Sequence, residues 1–182
     1  SLAACGSDKK ETKEPSKDIP AVFSPIITGT WVMTDYITDL DKTKSPKASA
    51  GKLEGIVSMI IDPAIIQGDT ITVAASWNNH EGYTFYLFFR KGQNEQSLTT
   101  DHTDRDSSGN FYELSYDIKN NDTTLALKHY NKDKKLLHAR QFTKVRGPLT
   151  ADSEPYGLQY MANKVLLAGS YNATDDEGKK SK

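Results

Sequence analysis

The sequence has 182 residues, a formal net charge of −1, 36% hydrophobic residues and 26% charged residues. This length allows one ordinary domain with tails, and the near balance of charge gives no general attraction to nucleic acid or acidic lipid. No stretch approaches the roughly 18 apolar residues that a membrane-spanning helix needs. The single cysteine excludes an internal disulfide and a cysteine-based zinc cluster.

The first residues read SLAACGS, with an apolar residue at Leu2, two small residues and then Cys5. This order resembles the lipobox of bacterial lipoproteins. The resemblance implies a signal-peptide remnant, acyl chains such as palmitate on Cys5, and an outer-membrane lipoprotein of the cell envelope, either periplasmic or surface-exposed. The membrane would then be a partner through the lipid. The alternative is an ordinary thiol.

Residues 6–20 hold eight charged residues and two prolines, with Ile19 as the one large apolar residue. Such a segment buries too little apolar surface to offset the entropy of ordering it. We therefore predict that residues 1–24 comprise the signal-peptide remnant, the lipidated cysteine and a flexible, disordered tether.

Short β-rich runs separated by turn clusters follow, with no convincing amphipathic helix before about residue 155. Apolar and polar residues alternate in these runs, which indicates that one face of each strand is buried. Close spacing favours antiparallel hairpins. We expect an all-β, eight-stranded antiparallel up-and-down barrel in residues 25–150, with a two-layer sandwich as the alternative. The predicted strands are residues 29–37, 53–61, 70–77, 83–90, 95–100, 111–118, 123–130 and 135–145.

The first run carries Gly29 and Trp31 as a Gly-x-Trp motif. Such a motif on the first strand of an eight-stranded meander resembles the lipocalin and calycin signature. The resemblance implies that Trp31 closes one end of the barrel beneath a basic residue of the last strand. Arg140 is our choice for that residue, with Lys144 and Arg146 as alternatives. A clean helix after the barrel, usual in lipocalins, is not evident in the sequence.

Residues 26–35 match residues 166–175 in order: an apolar pair, glycine, a hydroxyl residue, an aromatic residue, then Thr-Asp. Two interpretations stay open. Residues 151–182 are either a C-terminal extension that packs on the barrel or the beginning of a truncated second repeat.

The mouth or interior of a barrel is the default place for a ligand. Residues 83–89 carry aromatic side chains on both faces of one predicted strand, so one of these faces lies outside the barrel or against another element. Plain core packing with an exposed patch is the alternative. The candidate ligand-binding residues are Tyr83, Phe85, Trp77, Tyr112 and Tyr116.

Residues 104–109, DRDSSG, resemble a calcium loop in which Asp104, Asp106 and Ser108 present oxygens and glycine permits the turn. The alternative is an ordinary hairpin turn rich in Asp, Ser and Gly. His80 and His102 fall in predicted loops. His129 and His138 fall on neighbouring strands, where a cross-strand pair is conceivable.

The sequence contains no catalytic or nucleotide-binding motif that we recognise, and we expect neither an enzyme nor a cofactor. Our first hypothesis is a membrane-anchored binding protein whose barrel holds a small apolar ligand or a glycan. The second is an interaction or scaffold protein with a filled barrel that docks through its loops or the outer face of residues 83–89. An enzyme would require a cluster of polar side chains at the barrel mouth. The sequence does not determine the oligomeric state.

Overall fold

The computed structural model describes residues 18–78, 80–146 and 157–168. These residues contain four α-helices and nine β-strands, with short 3₁₀ turns at Ala50–Lys52 and Pro63–Ile65. The helices are α1 (Ile19–Ile27), α2 (Thr34–Thr43), α3 (Pro46–Ser49) and α4 (Leu158–Leu167). The strands are β1 (Gly29–Met33), β2 (Ile56–Ile61), β3 (Ile66–Gln67), β4 (Thr70–Trp77), β5 (Glu81–Lys91), β6 (Ser97–Thr103), β7 (Phe111–Lys119), β8 (Asp122–Tyr130) and β9 (Leu136–Lys144).

Eight of the strands close into an antiparallel up-and-down barrel in the order β1-β2-β4-β5-β6-β7-β8-β9, and β9 returns to pair with β1. The two-residue β3 pairs with β4 outside this ring. The all-β barrel expected from the sequence is thereby confirmed, and the sandwich is excluded. Closure pairs the backbone groups that the edges of an open sheet would expose.

Alternating side chains fill the barrel. On β4, Ile71, Val73 and Ala75 are buried, whereas Thr72 and Ala74 between them are only partly buried. Their partners on β5 repeat this pattern, since Ile71 pairs with Leu87 and Val73 with Phe85. The largest fully buried side chains include Trp31, Phe23, Phe142, Met33, Met59, Leu98 and Leu114.

Helix α1 begins within the predicted tether and continues past it, so the tether prediction is wrong for residues 18–24. The Asp18 side chain caps the helix by accepting the Ala21 N–H at 3.5 Å, and Pro20 in the first turn presets a helical φ. Phe23 and Ile27, one turn apart, are buried against the barrel. Charged residues dominate residues 6–18, whereas Phe23 and Ile27 lie in the apolar segment that follows them.

Helix α2 replaces the second half of the first predicted strand. β1 ends at Met33, and Tyr36 and Leu40, spaced i and i+4, face the core from the helix that follows. The helix ends at Thr43 and is capped by Lys44, whose left-handed backbone has a φ of 50°. The β-branched and aromatic residues of this segment favoured a strand, but burial at helical spacing overrides that preference.

Trp31 is buried at one end of the barrel, which we call the base. Its indole Nε1–H donates to the Ile27 carbonyl at 2.8 Å, and the Lys144 ammonium lies 5.5 Å from the ring centroid. Lys144 also crosses Gly29 so closely that a Cβ there would lie 2.8 Å from its Cε. The expectation that Arg140 covers Trp31 is therefore wrong. Trp31 pairs with Lys144 on β9, and Arg140 comes four positions earlier, toward the opposite end.

Helix α4 packs against α2, with Leu158 buried and the Lys44 ammonium donating to the Val165 carbonyl at 2.9 Å. Leu166 and Leu167, the apolar pair of the internal match, end this helix, as Ile26 and Ile27 end α1. Residues 169–175, the rest of the proposed repeat, and Cys5 lie outside the described residues. Within the described ranges, no helix is both long and apolar enough to cross a membrane.

Candidate functional site

The barrel end opposite Trp31 gathers polar and aromatic side chains from six consecutive strands. We call this group the mouth cluster. Its members are Trp77, Tyr83, His102, Asp104, Tyr112, His129, His138 and Arg140.

Strand register brings most of these side chains together. Tyr112 pairs with His129, which in turn pairs with His138, so all three point to the same side of the sheet. Arg140 pairs with Leu127, a buried core residue, and therefore also points inward.

Four rings stack and bond across the mouth. The Tyr83 hydroxyl lies 2.8 Å from His102 Nδ1 in a hydrogen bond. The His102 and Tyr112 ring centroids are 4.3 Å apart, and so are those of Tyr112 and His129, which stack with an interplanar angle of 4°. Tilted and stacked ring contacts of this kind stabilise ring pairs beyond the burial of their area and help to fix the orientation of each ring.

Asp104, just past the end of β6, hydrogen-bonds two of these rings, Tyr112 and His129. Its carboxylate accepts from the Tyr112 hydroxyl at 2.9 Å and the Asn110 amide at 2.8 Å, and it pairs with His129 Nε2 at 2.9 Å. Desolvation alone would raise the pKa of Asp104. The bonds from Asn110 and Tyr112, together with the charge of His129, outweigh it and lower the pKa below its ordinary value.

Burial changes the acid–base behaviour of two other rings. Desolvation lowers the pKa of His102 to about 4, against the pull of Asp104 and Asp101, so this imidazole is neutral at pH 7. Desolvation, followed by the hydrogen bond to Asp104, raises the pKa of Tyr112 well above its ordinary value. Both rings therefore act as neutral hydrogen-bonding groups.

Arg140 brings a positive charge into the mouth. Its Nη1 donates to the carbonyls of Glu54 and Ile56, and burial lowers its pKa. The approach depends on Gly55, whose φ is +66° and whose added Cβ would lie 2.8 Å from Arg140 Nη1. Asn78 holds Gly55 in place, since Asn78 Oδ1 accepts the Gly55 N–H at 2.7 Å and the Asn78 N–H returns a bond at 2.9 Å.

Two small cavities flank the ring stack and share Trp77, His102 and Tyr112 as walls. One, of about 130 Å³, lies on the side of Arg140. The other, of about 230 Å³, lies on the side of Arg105, whose guanidinium carbon is 5.8 Å from the Trp77 ring. Both are smaller than the roughly 300–1,000 Å³ of drug-sized ligand pockets, so a ligand of a few heavy atoms or one sugar ring is the appropriate scale.

A larger concavity of about 640 Å³ lies on the outer face of β7, β8 and β9. Side chains such as Thr124, Ala126 and Gln141 line it, opposite in phase to the buried Leu125 and Phe142. It has no buried titratable group in its lining. We regard the mouth as the stronger candidate because it contains the buried His102 and the partly buried Asp104, His129 and Arg140, whose desolvation costs free energy.

The predicted ligand residues separate into three groups. Trp77, Tyr83 and Tyr112 meet at the mouth. Phe85 lies one layer deeper, buried, with its ring centroid 5.7 Å from that of His102. Tyr116 does not join them, because its ring packs edge-on against Phe23 of α1 at 5.4 Å.

The predicted metal ligands do not converge. Asp104 is bonded into the mouth cluster, whereas Asp106 Oδ1 accepts the Ser108 N–H within the turn itself at 3.0 Å. The described residues contain no group of three histidine, cysteine, aspartate or glutamate side chains able to hold a metal ion. The Asp, Ser and Gly residues here serve the turn between β6 and β7.

The sequence does not identify the histidines of the mouth as one group. His102 was placed in a loop, but β6 extends to Thr103 and His102 is buried on it. His129 and His138 face each other across β8 and β9. His129 points to the same side of its strand as the buried Leu127, and His138 to the same side as Arg140. That shared phase is the signal that could have identified them.

No protein-family model matches this sequence, and comparison with curated proteins and with solved structures also gives no match. The resemblance of Gly29 and Trp31 to the lipocalin motif stays a hypothesis.

Proposed function

We propose that this chain is a lipocalin-like, lipid-anchored binding protein whose barrel mouth holds a small polar ligand. The observation that supports this most is the mouth cluster itself. Three histidines, an arginine and an aspartate lie among aromatic rings around two cavities, although apolar side chains would fill the same space at lower cost. Such an arrangement is useful when a ligand completes the hydrogen bonding.

Of the two ligand classes considered from the sequence, a glycan unit fits this geometry better than an extended apolar molecule. Side chains such as Val73, Leu87 and Phe142 occupy the barrel below the mouth and leave an extended apolar chain little room to enter. At the mouth, Trp77 offers a ring face for stacking, and His138 and Arg140 offer polar groups beside it. An aromatic face with adjacent donors suits one sugar ring.

Binding at the mouth is tested by titrating monosaccharides into the full chain and following the Trp77 indole signal by NMR. We expect saturable shifts at Trp77 and at the mouth histidines. W77A should weaken binding at least tenfold, whereas Y86A, on the outer face of the adjacent strand, should leave it unchanged. Equal affinity in W77A and the wild type, or shifts confined to the outer face, would contradict binding at the mouth.

We further propose that Cys5 carries the lipid and holds the barrel at the outer membrane. The support is the Leu-Ala-Ala-Cys order followed by a charged segment. In the source bacterium, C5S should lose incorporation of a labelled palmitate analogue and move from the membrane fraction to the soluble fraction. A C5S chain that stays in the membrane fraction with undiminished label would refute this proposal.

The scaffold hypothesis is the second candidate, and one observation favours it. On the outer face of β5, Tyr86 is 49% exposed, and Phe88 lies beside Arg90 at 5.0 Å. An exposed aromatic and cationic strip of this kind suits a protein partner. Loss of a partner from Y86A, with W77A unaffected, would identify the outer face rather than the mouth as the functional surface.

The mouth does hold the polar cluster that an enzyme would require. Its acid–base properties nevertheless favour binding, because a general base works best with a pKa near the ambient pH. His102, with a pKa of about 4, is too weak a base, and Tyr112 holds its proton too tightly. Among the described residues, His129 hydrogen-bonds Asp104 and no serine, threonine or cysteine side chain.

A further inference from the structure

Arg140 is a partly buried cation that enters no ion pair with any described residue. Its two hydrogen bonds are to the neutral carbonyls of Glu54 and Ile56, and both use the same nitrogen, Nη1. The carboxylates of Glu54 and Asp35 act on it only from beyond ion-pairing distance. A cation that is partly desolvated in this way lacks the compensation that a paired anion provides.

The other titratable side chains near this cavity do not offset the charge of Arg140. His138 and His129 both line the same 130 Å³ cavity, and His129 also hydrogen-bonds Asp104. Asp104, the nearest acid in the cluster, lies on the other side of the ring stack and already receives hydrogen bonds from three side chains. The Arg140 side of the mouth therefore presents donors and positive charge with no competing carboxylate in its lining.

We infer that the ligand of the mouth carries a carboxylate, which pairs with Arg140 and His138 while the body of the ligand lies against Trp77. The planar guanidinium fork matches a planar carboxylate, and charge-assisted bonds of this kind are the stronger ones. The cavity beside Arg140 has room for such a group, since it spans the volume of a few water molecules. This inference rests on the proposed function and narrows its ligand to small carboxylic acids, including sugar acids.

Matched pairs of small molecules test the charge preference on the wild-type full chain at pH 7. The pairs are acetate with acetamide, benzoate with benzamide, and glucuronate with glucose. We expect the carboxylate of at least one pair to shift the His138 ring and Trp77 indole signals at a concentration about tenfold or more below that of its neutral partner. Because this comparison needs no variant, it holds even if altering Arg140 impairs folding.

Two variants then locate the charge. R140Q should abolish the preference for the carboxylate, whereas R90Q should leave it intact, since Arg90 is an exposed arginine paired with Asp69 away from the mouth. If the neutral partners bind at the mouth as tightly as the carboxylates, or if R140Q keeps the preference, the carboxylate inference fails and the proposed binding function stands. If no member of any pair shifts the mouth signals while monosaccharides also fail to do so, both proposals fail.

Discussion

His102 couples the mouth cluster to pH. Desolvation holds its pKa at about 4 in the folded chain, below the ordinary 6.5 that applies when the chain is unfolded. Between these two values the unfolded chain binds a proton that the folded chain excludes. Folding stability therefore decreases as the pH falls from about 6.5 to about 4, by about 3 kcal/mol in total from this group.

Urea unfolding at several pH values measures this dependence. H102Q should flatten the stability profile between pH 6.5 and pH 4, because it removes the titrating group. The matched control is H80Q, since His80 is an exposed loop residue, and it should keep the wild-type profile. A steep profile in H102Q would assign the acid sensitivity to another residue.

Gly55 and Gly68 separate two costs of replacing a glycine: contact with a neighbouring side chain and strain of the backbone. Both have a positive φ, +66° and +63°, but only a Cβ at Gly55 would meet another side chain, Arg140 Nη1, whereas Gly68 has open space. We expect G68A to destabilise the chain by about 1–2 kcal/mol through backbone strain. G55A should cost more, because Arg140 must also move, and should shift the Trp77 indole signal. Equal free energies of unfolding would show that Arg140 yields freely.

At the level of elements, the alternation of apolar and polar residues predicts the strands well, but the sequence pattern does not reveal the helices α1 and α2. β4 was predicted with its observed bounds, and β7 and β8 to within one residue, because each has a continuous period-two pattern. The first strand was predicted four residues too long, since Tyr36 and Leu40 show their helical spacing only when the buried face is known. The two-residue β3 is too short to produce a pattern.

Helix α1 gives a direct test of whether residues 19–27 belong to the fold. Phe23 is 1% exposed and packs on Tyr116, whereas its neighbour Val22 is 40% exposed. F23A should lower the free energy of unfolding by about 3–5 kcal/mol through the cavity that it leaves. V22A should change it by less than about 0.5 kcal/mol. Chemical denaturation compares them, and similar small effects would mean that α1 contributes little to the core.

The loop between β5 and β6 depends on a buried carboxylate. Glu113, on β7, is 1% exposed and accepts the Gln93 N–H at 2.9 Å. E113A should destabilise the chain by about 1–3 kcal/mol and speed hydrogen exchange at the Gln93 amide, because a buried partner is lost. E95A removes a surface ion pair with Lys91 in the same loop and should cost at most about 1 kcal/mol. Unchanged exchange at Gln93 in E113A would contradict this account.

At the level of the whole molecule, the sequence predicts the barrel more completely than its site. Strand number and alternation follow from local patterns, and so does the inward direction of Trp77, Tyr83 and Tyr112. The residues that meet at each end of the barrel depend on the register between strands. The register of β1 and β9 pairs Trp31 with Lys144, so that Lys144 rather than Arg140 covers the Trp31 ring. The bond between Asp104 and His129 joins residues 25 positions apart and has no local signature.

The seam between β1 and β9 has a consequence for the order in which the chain folds. Beside it, the hydroxyls of Thr34 and Thr143 bond at 2.8 Å although they lie 109 positions apart. During synthesis, which begins at the N-terminus, the hairpins of β4 to β8 can form early, but the ring cannot close until β9 has been made. Ring closure should therefore be the late and slow step.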